Sequence, residues 1–144
     1  MRLNTISSEL AEKIMVAQPQ QQRAAALVAC RISMEQTSMT LTLATETLKA
    51  LEANEQISEQ TRAALRNLTD ELDLRYFELM NGEATDFAAE TTARQFFNQA
   101  RAIASLAYAS EGNFPMSVVE AVYEAALSTD DPHRVIDSVD AALL

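Results

Sequence analysis

The longest stretch without a chain breaker lies between Pro19 and Gly82, where neither glycine nor proline occurs. The whole chain has only two glycines and three prolines, and these are the residues that most often mark turns. A chain with few turns must be built from few, long elements. Helices meet that requirement, whereas a strand-rich domain needs many more turns. The scarcity of turn residues therefore predicts an all-α fold.

A heptad-like apolar seam runs through the first half of this stretch. Its members alternate three and four residues apart: Leu27, Cys30, Met34, Thr37, Leu41, Ala44, Leu48 and Leu51. The short segment "MTLTLAT" alternates apolar and polar residues like a strand, but the helical period covers more of the chain and passes through it. One long helix is therefore predicted at about 20–53. Its weak point is Thr37–Ser38, because β-branched and hydroxyl side chains lower helix propensity.

Two further helices follow the long one. A helix at about 58–80 is predicted to begin after Ser58, whose side chain is a favourable N-cap, and Asn81-Gly82 is a strong stop signal. A helix at about 85–110 is predicted to begin with Thr85 or Asp86 as its cap. Short helices are expected at both termini.

The predicted architecture is a helical bundle of about five to six helices in a single domain over residues 1–144. The long helix at about 20–53 is expected to pack antiparallel against the helices at about 58–80 and 85–110, because short connections favour antiparallel neighbours. A chain of this length hides roughly two-thirds of its unfolded surface on folding, so it can form a core without disulfides or a structural metal.

The sequence lacks the residues that common catalytic sites require. Two glycines cannot build a Gly-rich phosphate loop, and one histidine cannot supply the paired Glu-x-x-His ligands of a di-iron bundle. Asp130 and His133 could share a metal or transfer a proton, but an exposed first-turn histidine is the favoured interpretation. Cys30 lies on the apolar seam and is expected to be a buried core residue. No catalytic residue, cofactor or metal site is predicted, and no enzymatic activity.

The net charge of −10 is concentrated in the middle and the tail of the chain. Residues 46–90 hold four basic and eleven acidic residues, and residues 120–144 hold one basic and six acidic residues. Nucleic acids and anionic membranes attract basic proteins, so neither is an expected partner. The polar start and the absence of a long apolar run predict a cytoplasmic protein.

Two apolar residues interrupt the amphipathic pattern of the predicted helix at 58–80. Its apolar face runs through Leu72, and at about 100° per residue Leu74 and Phe77 fall on the opposite side. An exposed apolar pair bordered by carboxylates is typical of a contact site. The alternative is a central helix whose back is covered by the short helices. The predicted partner-binding residues are Asp70, Asp73, Leu74, Phe77 and Glu78.

Three classes of function remain open. The first is a small protein–protein interaction module, such as an inhibitor, an immunity-type protein or an adaptor, whose acidic and apolar face binds a basic partner surface. The second is a structural or regulatory homodimer without a client, in which a second copy covers the end of the long seam. The third is a metal-dependent enzyme, which would require carboxylates such as Glu46, Glu71 and Glu90 to converge in one cavity.

Overall fold

The computed structural model describes residues 1–82 and 86–144, which form seven α-helices and no strand. The helices are α1 (Asn4–Val16), α2 (Pro19–Gln36), α3 (Thr42–Glu52), α4 (Glu59–Met80), α5 (Phe87–Glu111), α6 (Met116–Leu127) and α7 (Pro132–Ala142). The helices pack against one another, so the predicted all-α bundle with short helices at both termini is confirmed.

The single long helix predicted at 20–53 is wrong, because α2 ends at Gln36 and α3 begins only at Thr42. The break falls at the predicted weak point. Ser38 adopts a left-handed φ of 50°. The amide of Met39 then donates to the carbonyl of Met34 at 2.9 Å. This is the hydrogen bond of a Schellman motif, which ends a helix by satisfying its last carbonyls. The break explains why the described chain has seven helices instead of five to six.

The break also changes the packing. In the part of the chain that the structure describes, α2 contacts α5, α6 and α7 but not α4, whereas α3 contacts α4 and α5. The predicted packing of one long helix against both later helices is therefore wrong for its first half. The reason is the turn after Gln36, which makes α2 and α3 two separate helices.

The predictions for the next two helices are confirmed. The hydroxyl of Ser58 accepts the amide of Thr61 at 3.1 Å, so Ser58 is the N-cap of α4. The carboxylate of Asp86 accepts the amide of Ala89 at 2.8 Å and caps α5. The alternative cap, Thr85, lies outside the described residues.

Small residues allow the central helices α2, α5 and α6 to approach closely. The side chains of Ala25 and Ala29 on α2, Ala100 on α5 and Ala121 on α6 are fully buried. Close approach brings the Cys30 sulfur to 3.7 Å from the hydroxyl oxygen of Ser105. The alanine-rich part of α2 thus serves packing within the fold.

The terminal helices pack beside each other, next to α2 and α6. In the described residues α1 contacts α2, α6 and α7, and α7 contacts α2 and α6 as well as α1. An ion pair of 2.8 Å between Lys13 and Asp140 joins the two. None of the described helices combines the length and the hydropathy that a bilayer span needs.

Candidate functional site

α4 lies at the edge of the bundle. Its helical neighbours in the described chain are α5 and α3, and neither terminal helix contacts it. Leu65 and Leu72 are its only two buried residues out of 22. The interpretation of α4 as a central helix with a covered back is therefore wrong, since α1 and α7 cover other helices.

α4 and α5 run antiparallel along each other. The ring centroids of Tyr76 and Phe97 are 5.4 Å apart. Nearer the start of α4, a carboxylate oxygen of Asp73 lies 2.7 Å from the guanidinium of Arg101. These contacts hold the inner side of α4 and leave its other side without a helical neighbour among the described residues.

Three large apolar side chains of α4 are exposed: Leu74 and Phe77 on that other side, and Met80 at its border with α5. The exposed fractions are 57% for Leu74, 56% for Phe77 and 46% for Met80. The sequence identified the first two but missed Met80, which follows Phe77 by three residues and also borders a cavity with Tyr76 and Phe97. We define the α4 outer face as these three residues together with Asp70 and Glu78.

The predicted carboxylates fall into two kinds. Asp73 turns toward α5 and bonds Arg101, so its charge is largely offset. Asp70 and Glu78 form no ion pair among the described residues. They stand four residues before and four residues after Leu74, which places all three in one row along the helix. The structure therefore joins four of the five predicted residues in one surface and assigns Asp73 to another role.

That other role belongs to an ionic cluster that sequence reasoning missed. Glu124 of α6 is only 2% exposed. Its two carboxylate oxygens accept hydrogen bonds of 2.9 Å from Arg2 and from Arg101. Arg2 also pairs with Glu120, and Arg101 with Asp73. We define these five residues as the ionic cluster, which connects the N-terminal segment with α4, α5 and α6.

The electrostatics of the cluster are those of paired, partly buried ions. Burial alone lowers the pKa of Arg2, but its bonds to Glu120 and Glu124 reverse this effect and raise the pKa above its usual value. Removing one member of such a pair would leave its partner poorly compensated. Loss of one member is therefore expected to destabilise the fold, and the charges of the cluster are directed at one another.

The remaining candidate residues do not form a site. Burial raises the pKa of the Cys30 thiol to about 12, so the thiol stays protonated, and the expectation of a buried core cysteine is confirmed. His133 is exposed, and Asp130 pairs with Arg94 at 3.5 Å. In residues 1–82 and 86–144, no group of three or more histidine, cysteine or acidic side chains is placed to hold a metal.

The three carboxylates considered for an enzyme are not brought together. Glu46 and Glu90 line two different cavities, and Glu71 pairs with Arg75 on the surface of α4 at 3.1 Å. No protein-family model, curated protein or solved structure matches the chain. The feature of the described chain that points to a function is therefore the α4 outer face.

Proposed function

We propose that this chain is a small acidic protein–protein interaction module of the cytoplasm, which binds a basic surface of another protein through the α4 outer face. Such a module would act as an inhibitor, an immunity-type protein or an adaptor. The observation that carries the proposal is the exposure of Leu74, Phe77 and Met80 on a helix whose outer side has no neighbour in the described chain.

The apolar side chains would supply the affinity. Burying a fully exposed Leu, Phe or Met side chain contributes about 1.5–3 kcal/mol, and each of these three, being about half exposed, would contribute part of that value. Large side chains near the centre of an interface commonly dominate its binding energy. Phe77, which lies between Leu74 and Met80 in the sequence, is the proposed central anchor.

The carboxylates would supply steering and orientation. Asp70 and Glu78 are eight residues apart, or about 12 Å along the helix axis. A partner with basic residues at both ends of an apolar contact would complement this arrangement. Charge complementarity of this kind accelerates association, and salt weakens it. We therefore expect the association rate to fall as the salt concentration rises.

A homodimer through the same face is less favourable. A two-fold contact between two α4 helices would bring the carboxylates of both copies into one interface, where like charges repel. The overall charge of −10 adds to that repulsion. A mass measurement at high protein concentration is expected to give a monomer; a dimer that dissociates on substitution of Phe77 would favour the homodimer instead.

The proposal is tested by capture of a partner from source cells with three immobilised proteins. The wild type is compared with the double variant Leu74→Asp/Phe77→Asp and with a matched control, Val16→Asp, which changes a residue that is 83% exposed on α1. Thermal unfolding is measured for all three proteins, and the double variant should remain folded with a slightly lower midpoint, because its aspartates stand four residues from Asp70, Asp73 and Glu78.

The wild type and the Val16→Asp control are expected to retain the same protein, and the double variant to lose it. Added salt should slow its capture. Retention of the same set of proteins by all three baits would contradict the proposal.

A further inference from the structure

A groove with a volume of about 220 Å³ lies between α4 and α5, next to the α4 outer face. Its lining residues come from both helices: Arg66, Thr69, Asp70, Ala104, Ala107, Tyr108 and Glu111. Asp70 belongs to both the groove and the outer face. A partner bound at the outer face would therefore reach the groove with a neighbouring side chain.

The groove combines a small apolar surface with carboxylates from both helices. Ala104 and Ala107 supply methyl groups that leave room for a flexible aliphatic chain, and the half-buried ring of Tyr108 lies beside them. Asp70 of α4 and Glu111 of α5 form no ion pair in the described part of the chain.

The cations that line or border the groove are already paired. The guanidinium of Arg66 lies 2.7 Å from a carboxylate oxygen of Glu59. Arg2, whose guanidinium carbon lies 5.9 Å from the centre of the Tyr108 ring, is bonded to Glu120 and Glu124. Both arginines thus have carboxylate partners other than Asp70 and Glu111, although Arg66 lines the same groove.

Tyr108 borders both the groove and Arg2, which donates a hydrogen bond of 3.4 Å to its hydroxyl. Burial is the main cause that raises the pKa of this hydroxyl; Arg2 opposes the rise, and Glu120, Glu124 and Glu111 add to it. The carboxylates of Asp70 and Glu111, which have no ion-pair partner among the described residues, disfavour an anion in the groove. An uncharged apolar side chain would leave two carboxylates without a partner, so a cation with an aliphatic stem fits best.

We infer that this groove receives one lysine or arginine side chain of the partner, with its stem on Ala104 and Ala107 and its cation at Asp70 and Glu111. The inference rests on the proposed function, because it names the part of the basic partner that enters beside the outer face. Tyr108 adds an aromatic surface for the cation.

The same chemistry already occurs inside the molecule. The guanidinium carbon of Arg2 lies 4.5 Å from the centre of the Tyr123 ring, and that of Arg101 lies 5.5 Å from the centre of the Phe97 ring. In both cases carboxylates hold the guanidinium as well. A cation from the partner would meet an equivalent combination of ring and carboxylates.

The test uses N-acetyl-arginine N-methylamide as the probe and N-acetyl-citrulline N-methylamide as its uncharged control of nearly the same shape. Each is titrated into the intact protein while NMR signals are recorded. The arginine probe is expected to shift the signals of Ala104, Ala107 and Tyr108 in a saturable way that added salt weakens. The citrulline probe is expected to leave them unchanged.

Substitutions of the two carboxylates test whether the cation of the probe binds at Asp70 and Glu111. The double variant Asp70→Asn/Glu111→Gln should weaken binding of the arginine probe by about tenfold or more, which is the change in binding constant that 1.4 kcal/mol represents. The control variant Glu12→Gln changes an exposed carboxylate of α1 and should leave binding unchanged. Equal shifts by both probes, or no saturable shift at the groove, would overturn the inference.

This outcome is separable from failure of the proposed function. Leu74 and Phe77 do not line the groove, so loss of the captured partner in their double variant tests the outer face alone. Should the arginine probe fail while that variant loses the partner, the groove assignment is wrong and the outer face stands. Should the probe bind while all baits retain the same proteins, the outer-face proposal is wrong and the groove remains a cation site.

Discussion

α6 and α4 use their side chains in opposite ways. α6 buries eight of its 12 residues and contacts α1, α2, α5 and α7. α4 buries two of its 22 residues and, in the described chain, contacts only α5 and α3. Even acidic residues follow this division, since Glu124 of α6 is enclosed by two arginines whereas Asp70 and Glu78 of α4 face solvent. α6 is therefore enclosed by its neighbours, whereas α4 packs along one side and presents the other to solvent.

The largest expected difference is between two leucines of α4 itself. Leu65→Ala should lower the free energy of unfolding by roughly 2–5 kcal/mol, because Leu65 is fully buried and its removal leaves a cavity. Leu74→Ala, the same change at an exposed position, should stay within about 0.5 kcal/mol of the wild type. Urea unfolding followed by circular dichroism measures both. Equal losses would mean that Leu74 is part of the core.

The second comparison is between the enclosed and the exposed glutamate. Glu124→Gln should lower stability by roughly 1–3 kcal/mol, because it weakens charge-assisted hydrogen bonds to Arg2 and Arg101. Glu78→Gln should leave thermal unfolding unchanged. A stable Glu124→Gln protein would show that the ionic cluster contributes little to the fold.

The third comparison separates the two neighbouring aspartates. Asp73→Asn should cost about 1 kcal/mol, because Arg101 loses one charged partner and keeps Glu124. Asp70→Asn should not change stability but should slow association with the captured partner. If Asp70 instead stabilised the fold and Asp73 controlled association, the assignment of Asp70 to the outer face and of Asp73 to the ionic cluster would be wrong.

The smallest effect concerns the break between α2 and α3. Ser38→Gly should raise stability by about 0.5–1 kcal/mol, because its φ of 50° is costly for a residue with a side chain. The control Gln36→Gly, in the last turn of α2, should lower stability by a similar amount. A destabilising Ser38→Gly would show that the serine side chain itself is needed at the break.

The sequence was informative where the signals are local. The caps Ser58 and Asp86 and the period of α4 depend on residues within a few positions of one another, and each is confirmed. The exposed position of Leu74 and Phe77 followed from the same period. Such features are set by one turn of helix, so they can be read without knowing the tertiary structure.

The sequence predicts the break between α2 and α3 only as a weak point. The seam across 20–53 keeps its period through Thr37 and Leu41, but Ser38 adopts a left-handed conformation and Met39 is buried. The sequence failed where distant segments decide the outcome. The pairing of Arg2 with Glu124 joins residues that lie 122 positions apart. No local pattern reveals such a pair, so the ionic cluster and the role of Asp73 required the structure.

The most direct test of the central claim uses Phe77 as a reporter. The chain has no tryptophan, so Phe77→Trp places the only indole in the α4 outer face, and excitation at wavelengths longer than tyrosine absorbs avoids the three tyrosines. In the free protein its emission should be that of a solvent-exposed indole. Addition of the captured partner should shift the emission to shorter wavelength and protect the indole from acrylamide. Binding of that partner without any change in emission or quenching would contradict the account.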